Sequence, residues 1–115
     1  MSFQPDYPHR VVRELALYDR LQHLWALQRI LRKTETLHGH LGDCNGKRVL
    51  IVRPRGVVRP WTNIGIRPDG DELAYTWEPG GTLANVPADG SVIGPVSDVG
   101  GVYEVIDRVF RERQK

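Results

Sequence analysis

Apolar residues recur with helical spacing through the first third of the chain. From Tyr7 to about Thr36 no glycine and no proline other than Pro8 interrupts the pattern. That run predicts one long helix, or two joined end to end, capped by Asp6, with Pro8 tolerated in the first turn. At about 100° per residue, Leu17, Tyr18, Leu21, Leu24 and Trp25 fall on one face, the face expected to cover a sheet. Val12, Leu15, Ala16, Ala26, Leu27 and Ile30 form a second apolar set among polar neighbours. A helix apolar on two sides has to bury both, and one sheet covers one. The second set is therefore expected to meet the C-terminal helix or a second copy of the chain, a twofold homodimer being the commonest such arrangement. Single apolar residues on a surface are the plainer alternative.

Beyond Gly39 the period changes from helical to alternating. Residues 37–47, with His38-Gly-His-Leu-Gly-Asp-Cys-Asn-Gly46 at their centre, are expected to be a loop ending in an Asn-Gly turn. Arg48 to Arg53 is a β-branched apolar strand, and Trp61 to Arg67 is a second. Pro68-Asp-Gly-Asp71 is the turn to a third, Glu72 to Glu78, in which Leu73, Tyr75 and Trp77 share one face. A short fourth strand is expected at Thr82 to Val86, and Asp98 to Arg113 carries the stripe Val102, Tyr103, Ile106, Val109 and Phe110 of a core-facing helix. The fold class predicted is α+β: a long N-terminal helix, a three- to four-stranded antiparallel meander, and a C-terminal helix packed on the sheet. One domain, residues 1–115 with a flexible stretch 1–6, is expected at this length.

Charge changes the picture more than composition does. From Arg29 to Arg67 the net charge is +7, from nine basic residues and two acids. From Pro68 to Asp107 it is −8, with eight acids and no base. The overall +2 thus belongs to a dipolar molecule, which bears on partners and not on fold. Thirteen arginines against three lysines resemble the coding bias of a GC-rich genome and weaken the arginine count as a sign of nucleic acid. No apolar run approaches the ~20 residues of a membrane span, and the polar Met1 to Arg10 does not read as a signal peptide. With Cys44 as the only cysteine, a cytoplasmic location and no membrane are the expectation.

Three groups of residues carry candidate chemistry. Arg53, Arg55 and Arg59 interleave with Trp61, and Arg29, Arg32 and Lys33 at the helix end extend the basic set; cations with an aromatic grip phosphates and stack bases. His38, His40, Asp43 and Cys44 are ligand types for a metal, although their spacing matches no structural zinc pattern. A Cys44–His40 nucleophile lacks a third, orienting partner. Gly42 to Lys47 fails as a phosphate loop, with three residues between its glycines, Arg48 in place of Ser or Thr, and a strand following. Leu15, Ala26, Leu27, Ile30 and Trp61 are the candidate dimer or partner interface. Glu72 is expected opposite Arg67 across the turn.

The stretch from Ile64 to Gly81, with Arg67-Pro-Asp-Gly-Asp-Glu-Leu-Ala-Tyr-Thr-Trp-Glu-Pro-Gly-Gly81, resembles a hairpin of small uncharacterised proteins of high-GC Gram-positive bacteria. The resemblance implies a source and a layout, and brings no functional residue with it. The function expected first is a small interaction module with a regulatory or accessory role, homodimeric, with a protein partner and no cofactor. A nucleic-acid-binding protein using the Arg29–Arg67 stretch is the alternative. A small metal protein or enzyme at His38, His40, Asp43 and Cys44 is the third reading.

Overall fold

The computed structural model describes residues 9–113, and the side-chain surroundings of residues 19–112. A helix α1 (His9–Arg32) leads into five strands, β1 (Leu37–Cys44), β2 (Lys47–Pro54), β3 (Thr62–Asp69), β4 (Glu72–Glu78) and β5 (Ser91–Pro95). A single 3₁₀ turn (Val96–Asp98) then opens helix α2 (Val99–Arg113). The strands form one antiparallel sheet in the order β1-β2-β3-β4-β5, so every strand pairs with its neighbour in sequence. The chain is α+β, a meander with two helices on it.

Alternation along the strands decides the faces. Leu37, Leu50, Val52, Ile64, Ile66, Tyr75 and Trp77 point to the helices. There they meet Leu24, Leu27 and Leu31 of α1 and Val102, Ile106 and Phe110 of α2 in one buried cluster. Gly39 lies directly beneath α1, where an added Cβ would come within 2.6 Å of Leu31 Cδ1. The absent side chain is what lets helix and strand approach this closely. Tyr75 Oη donates to the carbonyl of His23 at 2.5 Å, tying α1 to the middle of β4. The Asp98 carboxylate accepts from the Gly101 amide at 3.1 Å and caps the first turn of α2.

Several expectations are corrected. The segment 37–47 is not a loop: residues 37–44 are the edge strand β1, paired with β2 along its full length. Asn45 and Gly46, at φ 53° and 78°, form the two-residue turn between them, the left-handed conformation that Asn-Gly favours. Thr82 to Val86 is not a strand, and the fifth strand lies at Ser91–Pro95. On α1 the buried stripe is Leu24, Leu27 and Leu31, whereas Trp25 is 38 % exposed. Leu27, expected at a dimer interface, is wholly inside the chain's own core, because its helical spacing from Leu24 and Leu31 sets it in the same buried stripe. Val12, Leu15, Ala16, Leu17 and Tyr18 lie outside the residues whose side chains are described, as does the stretch 1–6. No described helix is long and apolar enough to cross a membrane.

Candidate functional site

Part of the charge split becomes a split between two ends of the sheet, although Lys47, Arg48 and Arg67 lie toward the acidic one. β3 starts beside the basic β2–β3 loop and ends at the acidic turn of Asp69, Asp71 and Glu72, so its eight residues separate the two by roughly 25 Å. The helix end joins the basic side. Arg55 donates from Nε to the carbonyl of Thr34 at 2.9 Å, and from Nη2 to those of Leu31 and Arg32 at 3.3 and 3.4 Å. The carbonyls of Leu31 and Arg32 belong to the last turn of α1, the negative end of its dipole, and that of Leu31 also accepts from the Thr34 amide and hydroxyl, so the guanidinium adds to an end already partly closed. Arg29 and Arg32 stand in that same last turn, followed by Lys33. Arg29, Arg32, Lys33, Arg53, Arg55 and Arg59 are thereby gathered at one end. Glu35 is the only acid in segments 29–36 and 53–61.

The loop between Pro54 and Thr62 is held from both sides. The Arg55 amide donates to the Thr36 carbonyl at 3.0 Å. The Arg53 guanidinium donates to the Val57 carbonyl at 2.7 Å, and the Trp61 amide to Thr82 Oγ1 at 3.0 Å. The Arg59–Pro60 peptide is cis, and the Arg59 guanidinium sits 5.8 Å from the centre of the Trp61 ring. At the tip Val57 and Val58 are 46 % and 74 % exposed. They are the surface residues that sequence reasoning missed. The signal was present in two adjacent valines flanked by arginine and unaccompanied by any alternating pattern.

His38 responds to this end of the molecule. Burial, then the charges of Arg53, His40, Arg55 and Arg32, hold its imidazole below the usual histidine range.

The metal set does not converge. Because residues 37–44 are extended, His38 and His40 lie side by side with ring centres 5.7 Å apart, while Cys44 is roughly 13 Å further along the strand from His40. Asp43 points to the other face and meets Arg48 at 3.5 Å. Cys44 Sγ lies instead 3.6 Å from the carbonyl of Pro79. Among the described residues no three His, Cys, Asp or Glu side chains come together as metal ligands.

Arg67 is absorbed by a pairing that the sequence does not announce. Its register partner is Ala74, and Glu72 pairs with Asp69, so the expected Arg67–Glu72 contact does not form. Arg67 instead donates to Glu78 from Nε at 2.8 Å and from Nη2 at 2.9 Å, and Thr76 Oγ1 donates to the same carboxylate at 2.6 Å. Glu78 is only 6 % exposed. Hydrogen bonding to Arg67 outweighs burial and holds its carboxyl below the usual range. Gly65 makes the room, since a Cβ there would come 2.5 Å from Glu78 Cγ. Asn63, also buried, donates to the Pro79 carbonyl at 2.9 Å and leaves its Oδ1 without a partner among the described residues.

Neither a protein-family model, a curated protein nor a solved structure matches this chain.

Proposed function

We propose that the chain is a protein-interaction module with an accessory role, docking through the β2–β3 loop and its arginine rim onto a partner with an acidic surface around an apolar recess. The observation that carries the reading is the pair Val57 and Val58, exposed at 46 % and 74 % on a loop anchored by Arg53, Arg55 and Trp61. Exposed aliphatic side chains gain by burial, and a loop already hydrogen-bonded in place loses little entropy on docking. Arginine and tryptophan at the margin are the residue types that anchor interfaces, and one-signed charge speeds the approach of an acidic partner.

A photo-crosslinking residue at position 58, compared with one at Asp71 on the acidic end, tests this in the cells that make the protein. Capture of one protein at 58 and not at 71 is expected. Its binding to the purified chain should weaken with Val58→Asp and with added salt. Capture independent of position, or of nucleic acid at 58, would overturn the reading in favour of a non-specific or polyanion-binding surface.

Trp25, 38 % exposed on α1 beside the half-buried Ala26 and Ile30, favours a second reading, self-association through the outer side of that helix. Sedimentation of the protein at rising concentration tests it, with Trp25→Ala expected to shift any dimer toward monomer.

A further inference from the structure

The sheet is split between its second and third strands. β1 and β2 pair over eight positions and β3 and β4 over seven, but β2 and β3 pair only at Leu50–Ile64, Ile51–Asn63 and Val52–Thr62. Beyond Leu50 and Ile64 the first residues of β2 and the last of β3 part. Between them opens a cleft of about 330 Å³, within the range of small-molecule sites. Its depth is apolar, formed by the buried Leu24, Val49 and Ile66, with Leu21 and Pro68 above them. Arg20, Lys47, Arg48 and Arg67 also line it, against Glu78 alone among the described residues.

Those charges do not cancel locally. Arg67 is taken by Glu78 in a two-pronged pair, leaving that carboxylate satisfied. Arg48 reaches only Asp43, at 3.5 Å with both side chains more than half exposed, a contact worth little. Arg20 and Lys47 form no ion pair among the described residues, the Lys47 charge reaching Glu78 only from beyond contact distance. Uncompensated cations around an apolar floor suit an amphipathic anion: the head meets the cations at the mouth, and the body lies on Leu24, Val49 and Ile66. At depth the cation Arg67 is already held by Glu78, so the head stays outward, at the mouth. Among the described residues no aromatic side chain lines the cleft, so a flat ring gains no stacking partner from them and an aliphatic body is preferred.

We infer that the cleft between β2 and β3 binds a small aliphatic anion, carboxylate- or phosphate-headed, with its head at Arg20 and Lys47. The site is separate from the β2–β3 loop and stands whether or not that loop docks a protein.

Titration of the isotope-labelled full chain, followed by amide NMR, tests this with octanoate, octyl phosphate, octanol and inorganic phosphate, each below its aggregation or solubility limit. Saturable shifts confined to residues 46–49 and 65–68 are expected with the two anions, the tighter of which names the head group. Octanol and inorganic phosphate should bind more weakly by about tenfold, the worth of one charged contact. Lys47 is exposed, so Lys47→Gln should weaken the anions by about tenfold while leaving distant amides in place. Val49→Phe should fill the cleft and abolish the shifts. Octanol binding equal to octanoate, shifts spread over the basic end, or no saturation at millimolar anion would overturn the inference. So would unchanged affinity in Lys47→Gln.

Discussion

At the scale of single residues, the Arg67–Glu78 pair is the most consequential feature of the face away from the helices. Glu78→Gln keeps the shape and removes the charge, and Arg67, at 41 % exposure, regains water. We expect a loss of about 1–3 kcal/mol at neutral pH by urea unfolding. The pH dependence has a definite sign. A carboxyl held below its usual range binds fewer protons in the folded chain than in the unfolded one, so it stabilises above the ordinary value of ~4.3. That contribution fades as pH falls through the lowered value, and the gap between wild type and Glu78→Gln should close there. Gly65→Ala acts on the same pair by crowding. Its Cβ displaces the Glu78 side chain, and a loss of about 1–3 kcal/mol is expected, much reduced when Glu78 is already Ala. Little of this was legible in the sequence. Arg67 and Glu78 are eleven residues apart, and only the return of the chain through β4 lays one beside the other.

At the scale of elements, side-chain hydrogen bonds of Gln28, Tyr75 and Arg55 tether α1 to the sheet and the loop after β2. Tyr75→Phe removes the hydrogen bond to the His23 carbonyl while keeping the ring in the core, and is expected to cost about 1 kcal/mol. Burial raises the phenol to about 12, so it stays protonated and able to donate throughout the range in which proteins are handled. Arg55→Ala removes the guanidinium from the end of α1, where Thr34 still bonds the Leu31 carbonyl. Faster hydrogen exchange over residues 30–36 is expected, with the middle of the helix unchanged. Elements with a period of their own were readable: β4, with Leu73, Tyr75 and Trp77 on one face, and α2, with Val102, Ile106 and Phe110. β1 was not. Gly39 and Gly42 dilute its strand character, and its two histidines are residue types common to loops and metal sites. Leu37 and Leu41 alternating before an Asn-Gly turn were the hairpin signal to weigh instead.

At the scale of the whole molecule, the basic β2–β3 loop and the acidic β3–β4 turn lie at opposite ends of the sheet, and pH acts at the basic end. His38 is held below the usual histidine range by burial and by cations at the basic end. The unfolded chain therefore takes up a proton at higher pH than the folded one. Stability is present above about 6.5 and declines as pH falls through the lowered value. Thermal unfolding between pH 7 and 5 should show that decline, and His38→Asn should flatten it while leaving the acid limb due to Glu78 in place. Added salt, by screening the repulsion of Arg32, Arg53 and Arg55 on the imidazolium, should flatten it in part.

The sequence by itself determined what neighbouring residues decide among themselves: the two helices, the β3–β4 hairpin, the Asn-Gly turn, and the charge split along the chain. These rest on period, capping and turn chemistry, whose range is a few residues. Only the tertiary structure decided that 37–44 is a strand, that Leu27 and not Trp25 is core, and that β2 and β3 part after three pairs to leave a cationic cleft. An edge strand obtains its hydrogen bonds from the strand beside it, and a helix face is buried by whichever element reaches it. A cleft exists only between segments that the fold holds apart. None of these is a property of the residues that show it, so none is written in their order alone.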